Sequence, residues 1–137
     1  MIKYGAEEIK TINQFEEITG ATVKDCIVNK EKEEATILVK PEDLGLAIGK
    51  NGSMIEKVKN KLGKEINVYK YSEDLEQFIE NLFYPVKPEK ITEENGEIRV
   101  EVDPEDKKRT IGRKGKKVKK VKELTERHFD IENIKII

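Results

Sequence analysis

The sequence predicts an α+β protein made of two copies of one α-β-β-α-α-β unit, and three observations predict it. A Gly-x-x-Gly tetrapeptide occurs as Gly49-Lys50-Asn51-Gly52 and again, sixty-three residues later, as Gly112-Arg113-Lys114-Gly115. An isoleucine precedes each, Ile48 and Ile111. The same offset relates Pro41-Glu42-Asp43 to Pro104-Glu105-Asp106, Ile37 and Val39 to Val100 and Val102, and Ile55 and Val58 to Val118 and Val121. Between these landmarks, stretches of helical period alternate with short β-branched stretches of period two. Two units are therefore expected, 1–71 and 72–137.

Residues 5–19 set Ala6, Ile9, Ile12, Phe15 and Ile18 three apart, a narrow apolar stripe that predicts a first helix ended by Gly20. Residues 22–28 and 35–40 are rich in β-branched side chains and flank a charged turn, which predicts a hairpin. Pro41-Glu42-Asp43 suits a helix start, because proline fits the first turn and acids favour the positive end of the helix dipole. A short helix is expected over 42–48, stopped by Gly49. Ser53 is a candidate N-cap for a helix carrying Ile55, Val58 and Leu62 and ended by Gly63, after which Ile66 and Val68 alternate in a strand reaching Tyr71.

In the second unit Ser72 is placed to cap a helix in which Leu75, Phe78, Ile79, Leu82 and Phe83 share one face, and Pro85 closes it. Residues 86–92 and 97–102 flank Asn95-Gly96, a pair that accepts the positive φ angles of a tight hairpin turn. Pro88 puts the first of these strands at an edge. At the constant offset, Phe129 and Ile131 take the places of Ile66 and Val68 in the last strand. No Gly- or Ser-rich linker lies near Tyr71, so the units are expected to abut, with Phe83 or Tyr84 adding burial to two small cores.

Composition narrows the function. With 40% charged residues there is no run of about 18 apolar residues to cross a membrane, and the N-terminus lacks the apolar core of a signal peptide. A cytoplasmic protein without a membrane partner is expected. One cysteine, Cys26, cannot form an intrachain disulfide and is expected in the core. With one histidine there is no zinc cluster, so neither metal nor cofactor is expected. His128 has no nucleophile motif beside it and no Gly-x-x-x-x-Gly-Lys-Ser/Thr occurs, so no catalytic residue and no enzymatic activity are expected. The net charge of −1 hides a segregation: residues 107–122 hold ten Lys or Arg and no acid. Such a stretch repels itself and calls for an anionic partner.

A Gly-x-x-Gly turn between two helices suits a sugar-phosphate chain. The first glycine can take the left-handed conformation that ends a helix, and the second lets the chain approach without meeting a Cβ. The next helix then turns its N–H groups and positive dipole end toward that chain. Lys50 and Asn51, and Arg113 and Lys114, are phosphate donors between the glycines. Ile48 and Ile55, with Leu44, would wall an apolar groove for bases, whereas Leu44-Gly45-Leu46 is replaced by Lys107-Lys108-Arg109 in the second copy. The first unit is expected to read bases more, and the second to grip phosphates more.

These residues carry a resemblance. Helix, Gly-x-x-Gly, helix between strands resembles the KH domain, and an initial helix followed by β-β-α-α-β resembles its type II form, whose three-stranded sheet is mixed. Two such units with almost no linker resemble the paired KH module of the NusA family of transcription elongation and termination factors, in its short archaeal form. The resemblance covers nearly the whole chain. It implies that single-stranded RNA is the partner, held about four nucleotides per loop. One clamp would comprise Gly49, Lys50, Asn51 and Gly52 with Ser53, and the other Gly112, Arg113, Lys114 and Gly115. Ile48, Ile55, Ile111 and Val118 would line base grooves, and Lys116, Lys117, Lys119 and Lys120 would add cations after the second loop. A monomer is expected, with RNA polymerase as a second partner; bacterial members of the family carry further domains for that contact, which have no counterpart in this sequence. The alternatives are a ribosome-associated or ribosome-assembly KH protein and, more remotely, a helix-turn-helix reader of duplex DNA or a phosphate-handling enzyme.

Overall fold

The computed structural model describes residues 2–137, which separate into two units, one reaching to Ser72 and the other Glu73–Ile137. In the first unit, helix α1 (Ala6–Thr19) is followed by strands β1 (Val23–Asn29) and β2 (Glu34–Val39), helices α2 (Leu44–Ile48) and α3 (Ser53–Leu62), and strand β3 (Glu65–Lys70). The sheet order is β1-β2-β3, with β2 antiparallel to β1 and parallel to β3. A parallel partner cannot be reached by a hairpin, so the chain crosses back over the sheet through α2 and α3. The Gly-x-x-Gly turn is the apex of that crossover.

The core of this unit joins Phe15, Cys26, Ile37, Val39, Val58 and Ile66, with Ile12, Ile18, Leu44, Ile55 and Val68 packed against it. Phe15 centres the apolar face of α1, but Ile9 is exposed and Thr11 is buried instead. Steps of three residues fall short of a full helical turn, so a stripe with that spacing drifts around the helix and its first members leave the core. Gly20 ends α1 in the left-handed conformation, φ 78° and ψ −1°, donating its N–H to the Glu16 carbonyl at 2.9 Å. Asp25 is a buried carboxylate in β1; its Oδ1 accepts from the Tyr4 hydroxyl at 2.9 Å and the Cys26 N–H at 2.8 Å.

The second unit repeats the order as α4 (Leu75–Phe83), β4 (Lys90–Glu94), β5 (Glu97–Glu101), α5 (Lys107–Ile111), α6 (Lys116–Glu126) and β6 (Asn133–Ile136), again a mixed sheet with β5 central. Phe78, sixty-three residues after Phe15, is likewise fully buried. Asn95 and Gly96 turn the hairpin with φ 52° and 84°. Two expectations are corrected here. Helix α4 is capped by Asp74, whose Oδ2 accepts from the Gln77 N–H at 2.9 Å, and not by Ser72. Strand β4 is an edge strand but starts at Lys90, beyond Pro85 and Pro88, which lack the N–H groups a ladder needs. Phe83 is buried while Tyr84 is 75% exposed.

The third correction concerns the last strand. The constant offset fails there: Ile134 pairs with Ile98 as Ile66 pairs with Ala35, so β6 sits sixty-eight residues after β3. The cause is local. Gly63 stops α3 in the left-handed conformation, φ 64° and ψ 33°, whereas Glu126 occupies the equivalent place and α6 runs through it into further helical turns, with the Phe129 N–H donating to the Thr125 carbonyl at 2.9 Å. Phe129 therefore packs edge-on against Phe78, ring centroids 5.1 Å apart, and Ile131 is buried outside the strand. His128 also lies on Phe78, at 5.5 Å.

Lys64, just after α3, ties back to α1 through an ion pair with Glu7, Nζ to Oε2 2.8 Å. The hydrogen bond and charge of Lys64 hold the Glu7 carboxyl below the ordinary glutamate value. The pair stabilises the fold only above the titration of the unfolded carboxyl, and that contribution is lost as pH falls through the lowered folded value. Glu7→Gln is expected to lower the urea midpoint at about pH 7 and to lower it less at acid pH, as the carboxyl titrates through its lowered folded value. Because the pair is partly exposed the difference is small, and an equal deficit at both pH values would assign it to packing.

Candidate nucleic-acid interface

The two Gly-x-x-Gly turns share one backbone. Gly49 has φ 75° and ψ 172°, and Gly112 has φ 80° and ψ 167°. That is not the left-handed helical conformation expected from sequence but an extended region of positive φ open to glycine alone. Each of these glycines still closes the helix before it, donating its N–H to the carbonyl of Gly45 or Lys108 at 2.9 Å. A Cβ on Gly49 would lie 2.7 Å from both the backbone N and the Cβ of Met54, and a Cβ on Gly112 would lie 2.7 Å from the same atoms of Lys117. The first glycine is thus required from inside, by the first turn of the following helix.

The second glycine differs. Gly52 and Gly115 are left-handed, φ 75° and 73°, with ψ 12° and 14°. A Cβ there would meet only Ile55 Cγ2 at 3.9 Å in the first copy and Lys119 Cε at 3.9 Å in the second. The space over the second glycine is open. Asn51 and Lys114 are also left-handed, φ 55° and 57°, a conformation asparagine tolerates and lysine disfavours by about 1–2 kcal/mol. Holding a lysine in it is the kind of backbone cost that gathers at binding sites.

Helices α3 and α6 start directly after the loops, with Gly52 and Gly115 as N-caps and no side-chain oxygen bonded at either end. Ser53 is therefore the first helical residue and not a cap, and it is exposed. Lys50, Asn51, Arg113 and Lys114 are exposed at the loop tips. Of the lysines after the second loop, Lys116 and Lys119 are exposed and Lys117 and Lys120 are partly buried. Lys119 extends past Gly115 toward the open side of the loop. Ile48, Ile111 and Val118 are partly buried, as are Ile55 and Leu44, which also pack against the core of the first unit.

The surroundings of the two loops differ in charge. Lys107 and Lys108 are exposed on α5, and Arg109 is held by Asp106, with Nη2 to Oδ1 2.8 Å. Their counterparts on α2 include Leu46, which is 51% exposed. Glu56 stands where Lys119 stands in the second copy, a contrast the constant offset contains. The second turn is an electropositive cradle of N–H groups and cations, suited to phosphate; the first couples a weaker cradle to an apolar edge. Among the described residues no three His, Cys, Asp or Glu side chains gather as metal ligands, and no helix is long and apolar enough to cross a membrane.

Known proteins are similar to this chain along nearly its whole length. A family model for the KH domain matches residues 8–89, and one for the NusA-like second KH domain matches residues 75–137. The probable transcription termination protein NusA of Methanococcus vannielii is 37% identical over 140 residues, covering 99% of this chain and 80% of that protein. The protein of the same description from Halobacterium salinarum is 30% identical over 138 residues, covering 98% of each. The crystal structure of APE1850 has a TM-score of 0.82 at 37% identity, covering 98% of this chain and 100% of that one. Paired KH units matched by both family models, and similarity along nearly the whole chain to archaeal relatives, place this chain in the NusA-like family of KH proteins.

Proposed function

We propose that the chain is a passive single-stranded RNA-binding factor of transcription, in elongation, termination or antitermination, and that both turns hold RNA. The observation that carries this reading is the second turn: Lys114 kept left-handed at an exposed tip beside Arg113, ahead of a helix whose first turn holds no acid. Gly112, Arg113, Lys114 and Gly115 clamp the backbone there, with Lys116 and Lys119 adding charge and Ile111 and Val118 meeting bases. Gly49, Lys50, Asn51, Gly52 and Ser53 form the other clamp, with Ile48, Leu46 and the outer part of Ile55 choosing among bases. Lys117 and Lys120 act mainly by building α6. If each clamp takes about four nucleotides, the pair spans on the order of eight.

The protein works as a monomer in the cytoplasm, with RNA polymerase as its second partner; the names of its relatives support a role in transcription termination. Competition on the intact chain tests the nucleic-acid class. Unlabelled single-stranded RNA is expected to displace a labelled RNA at least tenfold more effectively than duplex DNA of equal length, because the turns reach splayed bases and not a major groove. A preference for the duplex would replace this reading with a helix-turn-helix one.

A further inference from the structure

We propose that a second stretch of single-stranded RNA binds in the groove between α1 and α3 of the first unit, continuing from the Gly49–Gly52 clamp; this rests on the RNA reading above. Two hollows line up between these helices. One, of about 270 Å³, is bordered by Lys10, Thr11, Gln14, Lys61 and the Glu7–Lys64 pair. The other, of about 430 Å³, is bordered by Ile18, Lys57, Asn60 and Lys61. Lys61 lines both, so the two hollows are neighbours, and together they are called the trough below.

The trough is cationic although α1 is an acidic helix, because three of its acids are already engaged. Glu7 is paired with Lys64 at 2.8 Å. Glu8 accepts from the N–H groups of Gly5 at 3.0 Å and Val28 at 3.3 Å, and Glu16 accepts from the Val23 N–H at 2.8 Å. Lys10, Lys57 and Lys61 remain facing the hollows. The second unit, built on the same scaffold, does not repeat this: Glu73, Asp74, Glu123 and Leu124 stand where Lys10, Thr11, Asn60 and Lys61 stand. At those four positions the second unit is acidic or apolar where the first is cationic or polar.

The lining favours RNA over an acidic protein segment. Lysines alone would satisfy carboxylates, but the trough also offers two amides, Gln14 and Asn60, which both donate and accept as base edges require, and an apolar floor at Ile18 for base faces. Lys57 lies one helical turn beyond Ser53, about 6 Å along α3, so a strand leaving the first clamp meets the trough without a gap.

The test compares intact wild type with Lys10→Glu/Lys61→Glu, both sites exposed, on RNA of about eight and about sixteen nucleotides. The variant is expected to bind the short RNA within twofold of wild type, to bind the long RNA at least fivefold more weakly, and to lose about 1.4 from its log–log salt slope on the long RNA, two phosphates at roughly 0.7 each. Lys10→Gln/Lys61→Gln, which adds no charge, should move the long-RNA values the same way by less, with an unchanged unfolding midpoint. Equal long-RNA affinity and slope in variant and wild type would overturn the trough. Displacement of the long RNA's extra contacts by poly-glutamate at lower concentration than by RNA would overturn it in favour of an acidic protein partner. If wild type binds neither RNA, the clamp reading falls first and this one with it; weak long-RNA binding with intact short-RNA binding separates the two.

Discussion

Gly49→Ala is expected to destabilise the first unit by about 3 kcal/mol or more, the sum of an excluded backbone conformation and an overpacked contact. The new Cβ would sit 2.7 Å from the Met54 N and Cβ, atoms of a helical turn that cannot retreat without unwinding α3. Gly112→Ala should do the same to the second unit against Lys117. Gly52→Ala and Gly115→Ala face open space, so their cost is the left-handed backbone alone, about 1–2 kcal/mol. Their larger effect is on binding, since the added methyl occupies the surface an RNA backbone would approach. Urea unfolding and RNA titration on all four variants check this. Equal destabilisation by the first and second glycines of a loop would contradict the division of labour between them.

Arg113→Asp/Lys114→Asp is expected to weaken single-stranded RNA binding by at least about thirtyfold, across RNA sequences alike, because phosphate contacts carry no direct base information. The salt slope should fall by about 1.4, two phosphates no longer neutralised. Lys50→Asp is expected to cost less, since the first loop has fewer cations to lose, and to alter base preference through its neighbours on α2. Lys114→Asn separates strain from charge: asparagine suits the left-handed position, so the second unit should gain about 0.5–1 kcal/mol while RNA affinity falls. Titrations at several salt concentrations with two unrelated RNA sequences give both quantities. Unchanged affinity in the double aspartate variant would remove the second loop from the interface.

Much of this was legible in the sequence, for a physical reason. A duplicated chain shows its own alignment, and positions that must stay alike, the two glycines, the Pro-Glu-Asp start and the valines facing the core, stand at one offset. From them the element order could be read, and the resemblance they carry implied the mixed sheet. The misses are equally physical. The offset breaks after α6 because Glu126 cannot do what Gly63 does, and a missing stop signal is harder to see than a present one. Ser53 and Ser72 looked like caps by residue type, but Gly52 and Asp74 hold the cap positions, and cap geometry depends on where the helix begins. The role of Gly49 was misassigned between two positive-φ regions that share a preference for glycine. That the first glycine is held by Met54 and the second faces open space belongs to packing, which composition and period do not encode.

The most direct measurement of the central claim is an amide NMR titration of the intact protein with a single-stranded RNA of about eight nucleotides. The expected result is that the amides of Gly49 to Ile55 and of Gly112 to Val118 shift or broaden first and most, and that the second set recovers first as salt is raised. Saturable binding that leaves both sets unmoved while the sheet residues of β1 or β4 shift would contradict it.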